Sequence, residues 1–154
     1  MELQDYKIYS HVCNVTSDNS VEIAFKWVDE HLGGCDILVN NAGITTKDGL
    51  LDYEKSMTEL SKVIEVNFTG VVRCTRHAFK SIVQRSDYGY IININSVVGH
   101  EIPGFDGEFK LSIYPGTKHA ITAYTHILRQ ELNQMKNKKV RATVRLIEYI
   151  STSI

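Results

Sequence analysis

Tyr114 and Lys118 stand in a Tyr-x-x-x-Lys pattern, Ser96 precedes them, and Asn67 lies between Ser96 and the string Asn40-Asn41-Ala42-Gly43. These side chains can pass a proton to or from an alcohol oxygen. A phenol is a poor base near neutral pH, since its unperturbed pKa is about 10. A nearby ammonium favours the phenolate and draws that value toward the working range. A helix through 114–118 puts both groups on one face, a turn apart, and Ser96 at a strand end can hydrogen-bond the same oxygen. Alone, a Tyr-x-x-x-Lys pair says little, because any helix can carry one. Here the strand-end serine precedes it, a loop with Pro103, Gly104 and Gly107 intervenes, and the residues around Lys118 are small or apolar, so that the helix can pack closely against a ligand.

Residues 7–15 read as a strand. Ser17 to Ser20 then supply capping residues for a helix with Val21, Ala24, Phe25, Val28 and Leu32 at helical spacing, ended by Gly33-Gly34. Residues 36–39 form a short apolar run, the kind expected of a strand buried on both faces of a parallel sheet. A helical stretch over 56–84 contains Asn67 and draws its apolar face from Leu60, Val63, Ile64, Val71, Val72, Phe79 and Val83. The next strand covers 90–95 and leaves Ser96 at its carboxyl end, where open α/β sheets place their ligands. A helix over 112–135 follows, with Ala120, Ala123, Ile127, Leu128 and Leu132 inward, and residues 140–146 make the last strand. This alternation predicts a parallel α/β sheet with right-handed connections. With 154 residues and 43% hydrophobic content, the chain is long enough for one core and too short for two, so 1–154 is expected to be a single domain.

Seventeen basic residues against eighteen acidic ones give a formal charge of −1 with no block of like charges, which argues against a nucleic-acid or anionic-membrane partner. Residues 2–5 are polar and no apolar run is long enough to span a bilayer, so a soluble, cytoplasmic protein is expected. Cys13, Cys35 and Cys74 are odd in number, widely spaced and without a Cys-x-x-Cys pair; they read as free thiols, and no metal site is expected. The sequons at Asn14 and Asn67 are discounted without a leader peptide. Gly99 to Gly104 has the glycine spacing of a phosphate loop, yet Phe105 stands where the lysine must be, and that reading fails. His100 can be read as catalytic or as a surface or pocket-lining residue, and a lone loop histidine is more often the latter.

Four strings, 36–43, Val66-Asn67-Phe68-Thr69-Gly70, 91–96 and Tyr114-Pro115-Gly116-Thr117-Lys118-His119-Ala120, resemble those of the short-chain dehydrogenase/reductase family, in the family's order and over about residues 7–142. The wording of 25–28 and 94–100 is similar to the farnesol dehydrogenase-like members of insects. The resemblance implies a Rossmann-type doubly wound sheet and an NAD(P) cofactor, NADP before NAD. It implies that Tyr114 is the acid/base, that Ser96 holds the carbonyl or alcohol oxygen, and that Lys118 lowers the tyrosine pKa and binds the nicotinamide ribose. Asn67 would complete the tetrad by interrupting helical hydrogen bonding and holding a relay water; the other reading of Asn67 is a solvent-facing helix residue. Asn14 and Val15 would face the adenine, with Asn in place of the family's usual Asp. Asn41, Ala42 and Gly43 read as a strand-ending turn and as a cofactor shelf, and both can hold. Val97, Val98, Gly99, His100 and Phe105 fall where the family builds its substrate pocket.

The sequence has no Gly-x-x-x-Gly-x-Gly turn between a first strand and helix, the element that sets backbone N–H groups on a pyrophosphate. After Thr143 it also departs from the family's Ser-x-Pro-Gly turn. The expectation is therefore a partial sheet, lacking the family's first two strands and its last. In the family's order the two missing strands lie between 7–15 and 36–39. Either those two runs pair directly or an apolar edge stays open and invites association. Three functions remain: an alcohol/carbonyl oxidoreductase acting as a dimer or tetramer, a non-catalytic member that pairs through its long helices, and a nucleotide-binding domain of other chemistry.

Overall fold

The computed structural model describes residues 7–85, 88–102, 104, 111–137 and 139–147. Pro103, Phe105 and Gly107 of the predicted pocket loop lie outside them. Helix α1 (Asp18–Leu32) begins where the Ser17 hydroxyl accepts the Ser20 N–H at 3.2 Å. It ends at Gly33 and Gly34, whose φ of 80° and 120° suit glycine alone. Strand β1 (Ile37–Asn40) follows. Helix α2 (Thr58–Ile64), a π-helical turn (Glu65–Thr69) and α3 (Gly70–Gln84) then run on as one interrupted rod. Strand β2 (Gly89–Ser96) leads through a 3-10 turn (Val97–Gly99) toward α4 (Tyr114–Gln134) and β3 (Val140–Ile147).

The sheet is parallel in the order β1-β2-β3, with Ile37 opposite Tyr90 and Ile91 opposite Ala142. Helix α3 packs on β1 and β2, and α4 on β2 and β3. Between helices and sheet lies a core of Ile82, Ile91, Leu132, Val140 and Ala142. The other face is open: Ile37 (60% exposed), Val39 and Tyr90 share it with Arg141. A parallel sheet is normally covered on both faces.

Residues 7–14 do not form the predicted strand. They lie along α1 instead, where His11 stacks on the Trp27 indole at 5.5 Å and Tyr9 meets its edge at 5.7 Å. Ile8 and Val12 are left in solvent, so of the two alternatives for the sheet edge the open one is realised. The buried stripe of α4 is also rotated from the expected one. Lys118, Ile121, Thr125 and Leu132 face in, while Ala123 and Ile127 face out. Leu32, Ile64 and Val83 likewise have more than a third of their surface exposed.

The rotation of α4 has a polar cause. Asn40 donates to Thr75 Oγ1 (3.1 Å) and to Asn93 Oδ1 (2.8 Å), and Asn93 donates to Thr125 Oγ1 (2.9 Å). This buried chain crosses from α3 through β1 and β2 to α4. Buried amides must find partners, so Thr125 turns inward, and Ile127, two residues on, turns outward.

Candidate active site

Ser96, Tyr114 and Lys118 come together at the carboxyl end of β2. The extended Ser96 closes the strand, and its hydroxyl accepts the Val98 N–H at 3.4 Å, capping the 3-10 turn. That turn lies so close to α4 that a Cβ on Gly99 would fall 2.8 Å from the Lys118 carbonyl oxygen. Only glycine allows the approach. Tyr114 opens α4, with Pro115 in the first turn, where a missing N–H costs nothing. The chain enters α4 through Ser112, which has a positive φ of 52° and donates its hydroxyl to the Asp48 carbonyl at 2.6 Å.

The Ser96 hydroxyl stands near enough to the Tyr114 phenol to favour the phenolate. Burial pushes the phenol above its ordinary range, and the Ser96 hydroxyl pulls the other way with the smaller effect. Lys118 is buried; its Nζ donates to the Ile94 carbonyl at 3.0 Å and stands 5.5 Å from the centre of the Tyr114 ring. Burial holds its ammonium below the ordinary lysine range. The expectation that Lys118 lowers the tyrosine pKa is thus not met in this arrangement. One ammonium proton goes to the Ile94 carbonyl of β2, and desolvation of the phenol dominates.

Asn67 lies in the π turn and is 2% exposed, which removes the solvent-facing reading. The helical interruption expected there is present, as π turns often are at functional sites. Its carboxamide grips the chain leaving β1: Oδ1 accepts the Ile44 N–H at 2.8 Å and Nδ2 donates to the Ile44 carbonyl at 2.9 Å. Nδ2 also donates to Thr117 Oγ1 at 3.2 Å.

Asn41, Ala42 and Gly43 form an exposed shelf just before Ile44. Val15 is fixed by the Arg73 guanidinium on its carbonyl (2.6 Å) and by Gly70, where a Cβ would come within 3.0 Å of Val15 Cγ2. Arg73 also pairs with Asp18. Asn14 folds its side-chain oxygen onto the Thr16 N–H (3.0 Å) and hydroxyl (2.8 Å), closing the turn before α1. Of the substrate-side residues, Val98 is buried and serves Ser96 with its N–H, while His100 is exposed at the end of the 3-10 turn.

For a dinucleotide this is a partial fit. The shelf at Asn41–Gly43 and the anchored Val15 offer small, fixed surfaces for an adenosine, and Lys118 with Tyr114 offers donors for a nicotinamide ribose. The glycine-rich turn that would cradle the pyrophosphate is not in the sequence. Among the described residues no cluster of three or more metal-ligating side chains occurs, and no helix is long and apolar enough to cross a membrane.

Thr117, Ile44, Ser112 and the Asn40–Asn93–Thr125 chain escaped the sequence reading. A signal existed for the last. Asn93 and Asn95 alternate with isoleucines, and on a buried strand polar residues at period two call for partners on the covering helix.

Three comparisons bear on this geometry. The family model described as short chain dehydrogenase matches residues 1–154. The chain is 40% identical over 126 residues to a farnesol dehydrogenase of Aedes aegypti, covering 82% of this chain and 50% of that protein. It is 36% identical over 132 residues to dehydrogenase/reductase SDR family member 11 of Mus musculus, covering 85% and 48%. A short chain dehydrogenase/reductase from Burkholderia phymatum, solved in complex with NAD, superposes with a TM-score of 0.78 at 25% identity, covering 90% of this chain and 46% of that one. The chain thus spans about half the length of the relatives it matches. With a Ser–Tyr–Lys–Asn constellation at the end of a parallel sheet and a family model matched from end to end, the chain belongs to the short-chain dehydrogenase/reductase family.

Proposed function

We propose that this chain carries the proton-transfer part of an NAD(P)-dependent oxidoreductase that interconverts a small or lipophilic alcohol and its carbonyl, with NADP preferred to NAD. The observation that carries this reading is the meeting of Ser96, at the end of β2, with Tyr114 and Lys118 at the start of α4, the Lys118 ammonium 5.5 Å from the centre of the Tyr114 ring. A nicotinamide, when bound, supplies or accepts the hydride. In the reducing direction Tyr114 gives its proton to the carbonyl oxygen while Ser96 hydrogen-bonds that oxygen. Lys118 stabilises the phenolate that results, and to do so its Nζ turns from Ile94 toward the phenol oxygen. Asn67 holds the first turn of α4 against the loop leaving β1. The name of the mosquito relative, a farnesol dehydrogenase, supports a lipophilic alcohol as substrate. Residues 1–154 act in this reading as one incomplete dinucleotide-binding unit, and the free thiols of Cys13, Cys35 and Cys74 suit a reducing, cytoplasmic setting.

A second reading rests on the outer face of α3 and α4. Ile127 is half exposed there beside Phe79, Tyr124, Leu128 and Met135, around a cavity of about 120 Å³. Such an apolar face favours a dimer, either of two copies or of this chain with a longer family member, and such a pair would need no catalysis. Titration with NADPH and NADH followed by cofactor fluorescence separates the two. Micromolar binding, with carbonyl reduction abolished in Tyr114→Phe, is expected of the enzyme. Absence of binding together with stable dimer formation overturns that reading in favour of the pairing protein.

A further inference from the structure

We propose that Thr117 is a positioning residue of the site, the link through which Asn67 sets the placement of Tyr114. This inference deepens the oxidoreductase reading and rests on it for its purpose, though not for its test. Thr117 is 4% exposed and lies between Tyr114 and Lys118 on α4. Its hydroxyl does two things at once: Oγ1 accepts from Asn67 Nδ2 at 3.2 Å and donates to the Tyr114 carbonyl at 2.7 Å. The hydroxyl has one proton, which goes to Tyr114, and a lone pair remains for the amide. The two bonds are therefore compatible and directional.

Asn67 in turn is fixed by both backbone groups of Ile44. One buried amide thus joins the exit of β1, the π turn and the first turn of α4. A helix held only by apolar contacts can slide or rotate by a few tenths of an ångström at little cost, whereas a hydrogen bond weakens steeply when bent or stretched. The approach of Ser96 to the Tyr114 phenol is sensitive in the same way, because strand β2 holds the serine and α4 the phenol. Thr117 ties the helix end that carries the phenol to a point outside both elements. The 3-10 turn, close against the Lys118 carbonyl at Gly99, bears on the same helix at a second point.

The chemistry required at position 117 is narrow. Serine keeps both bonds and loses a methyl; valine keeps the shape and loses both bonds, leaving a buried amide proton of Asn67 without its acceptor. The test compares Thr117→Ser and Thr117→Val by titrating the Tyr114 phenol through ¹³Cζ-labelled tyrosine NMR, with Tyr114→Phe assigning the resonance. The expected result is an upward shift of the Tyr114 titration in Thr117→Val, because the phenol loses alignment with Ser96, and a titration in Thr117→Ser equal to that of the unmodified chain. An unchanged titration in Thr117→Val, or an equal shift in the serine variant, overturns the proposal and leaves the oxidoreductase reading standing. In the unmodified chain the Asn67 Nδ2 protons are expected to exchange with solvent slowly. Exchange at the rate of a free amide overturns the proposal even if the valine variant does not fold.

Discussion

Replacing Asn67 by Asp and by Ala separates the orientation of its amide from its mere presence. In Asn67→Ala three hydrogen bonds vanish, two to Ile44 and one to Thr117. Each is worth about 1 kcal/mol net. Ile44 is 41% exposed, so its backbone groups regain water, and the Thr117 hydroxyl keeps the Tyr114 carbonyl; the expected loss is about 2 kcal/mol. In Asn67→Asp the side chain keeps its shape and one oxygen still accepts from Ile44 N–H. The other oxygen then stands where Nδ2 was, 2.9 Å from the Ile44 carbonyl, and acceptor meets acceptor. A carboxylate at a 2% exposed site also loses most of its hydration. Asp should therefore cost more than Ala at pH 7, by about 1–2 kcal/mol beyond it. The sign with pH follows. Burial raises the folded-state pKa of that carboxyl above the unfolded value of about 4, so its cost is absent below that value and grows as the pH rises through the raised one. Protonated, it can donate to the Ile44 carbonyl as the amide does. Urea unfolding followed by far-UV circular dichroism at pH 7 and pH 4.5 reads this directly. If Asp is no worse than Ala at pH 7, or if the gap does not narrow at pH 4.5, the assigned orientation of the amide is wrong.

Cys74 gives an alkaline signature. Burial, with a smaller contribution from Cys13, pushes its thiol from 9.0 up to about 11, against a lowering by Arg73. Above pH 9 the unfolded chain sheds this proton first, so stability falls as the pH rises to about 11, by about 2–3 kcal/mol at ~1.4 kcal/mol per unit. The loss between pH 8 and pH 10.5 should be smaller in Cys74→Ala, measured by urea midpoints under reducing conditions, and equal losses count against the assignment. At the open edge of the sheet, Val39→Lys should suppress association, because a charge on a bare edge strand blocks pairing with another chain. Sedimentation velocity should show the unmodified chain growing beyond a dimer with concentration and the lysine variant stopping short of that. A monomeric unmodified chain with a cooperative, ordinary melt refutes it.

What could be read from the sequence was whatever local chemistry decides. Ser17 and the Gly33-Gly34 pair bound α1 because capping and positive φ are properties of single residues. The three strands appear within a residue or so of the apolar runs that announce them. The nearness of Ser96, Tyr114 and Lys118 was legible because they sit at a strand end and a helix start within strings that resemble the family's, not from spacing alone. What failed was non-local. Residues 7–14 have the composition of a strand, yet they leave the β1 edge open and lie along α1, with Tyr9 and His11 on the Trp27 ring. The inward stripe of α4 was misjudged because apolarity was weighed and Thr125 was not, although the buried Asn93 amide settles which face turns in. The direction of the Tyr114 shift was misjudged for the same reason. Four residues of sequence place an ammonium near a phenol, but only the fold shows how far burial raises the phenol and that the Ile94 carbonyl takes one of the ammonium's hydrogens.

The partners that fix Ser96, Lys118 and Asn67 have a common address. Among the described contacts, Ser96 is set by Val98 and Tyr114, Lys118 by Ile94, and Asn67 by Ile44 and Thr117, all between residues 44 and 118. None of these contacts runs through a glycine-rich phosphate turn, nor through the open face of the sheet. The Ser96–Tyr114–Lys118 arrangement therefore rests on β2, the π turn and the start of α4. A displaced Tyr114 phenol would argue against the proposed proton transfer even in a chain that binds NADPH.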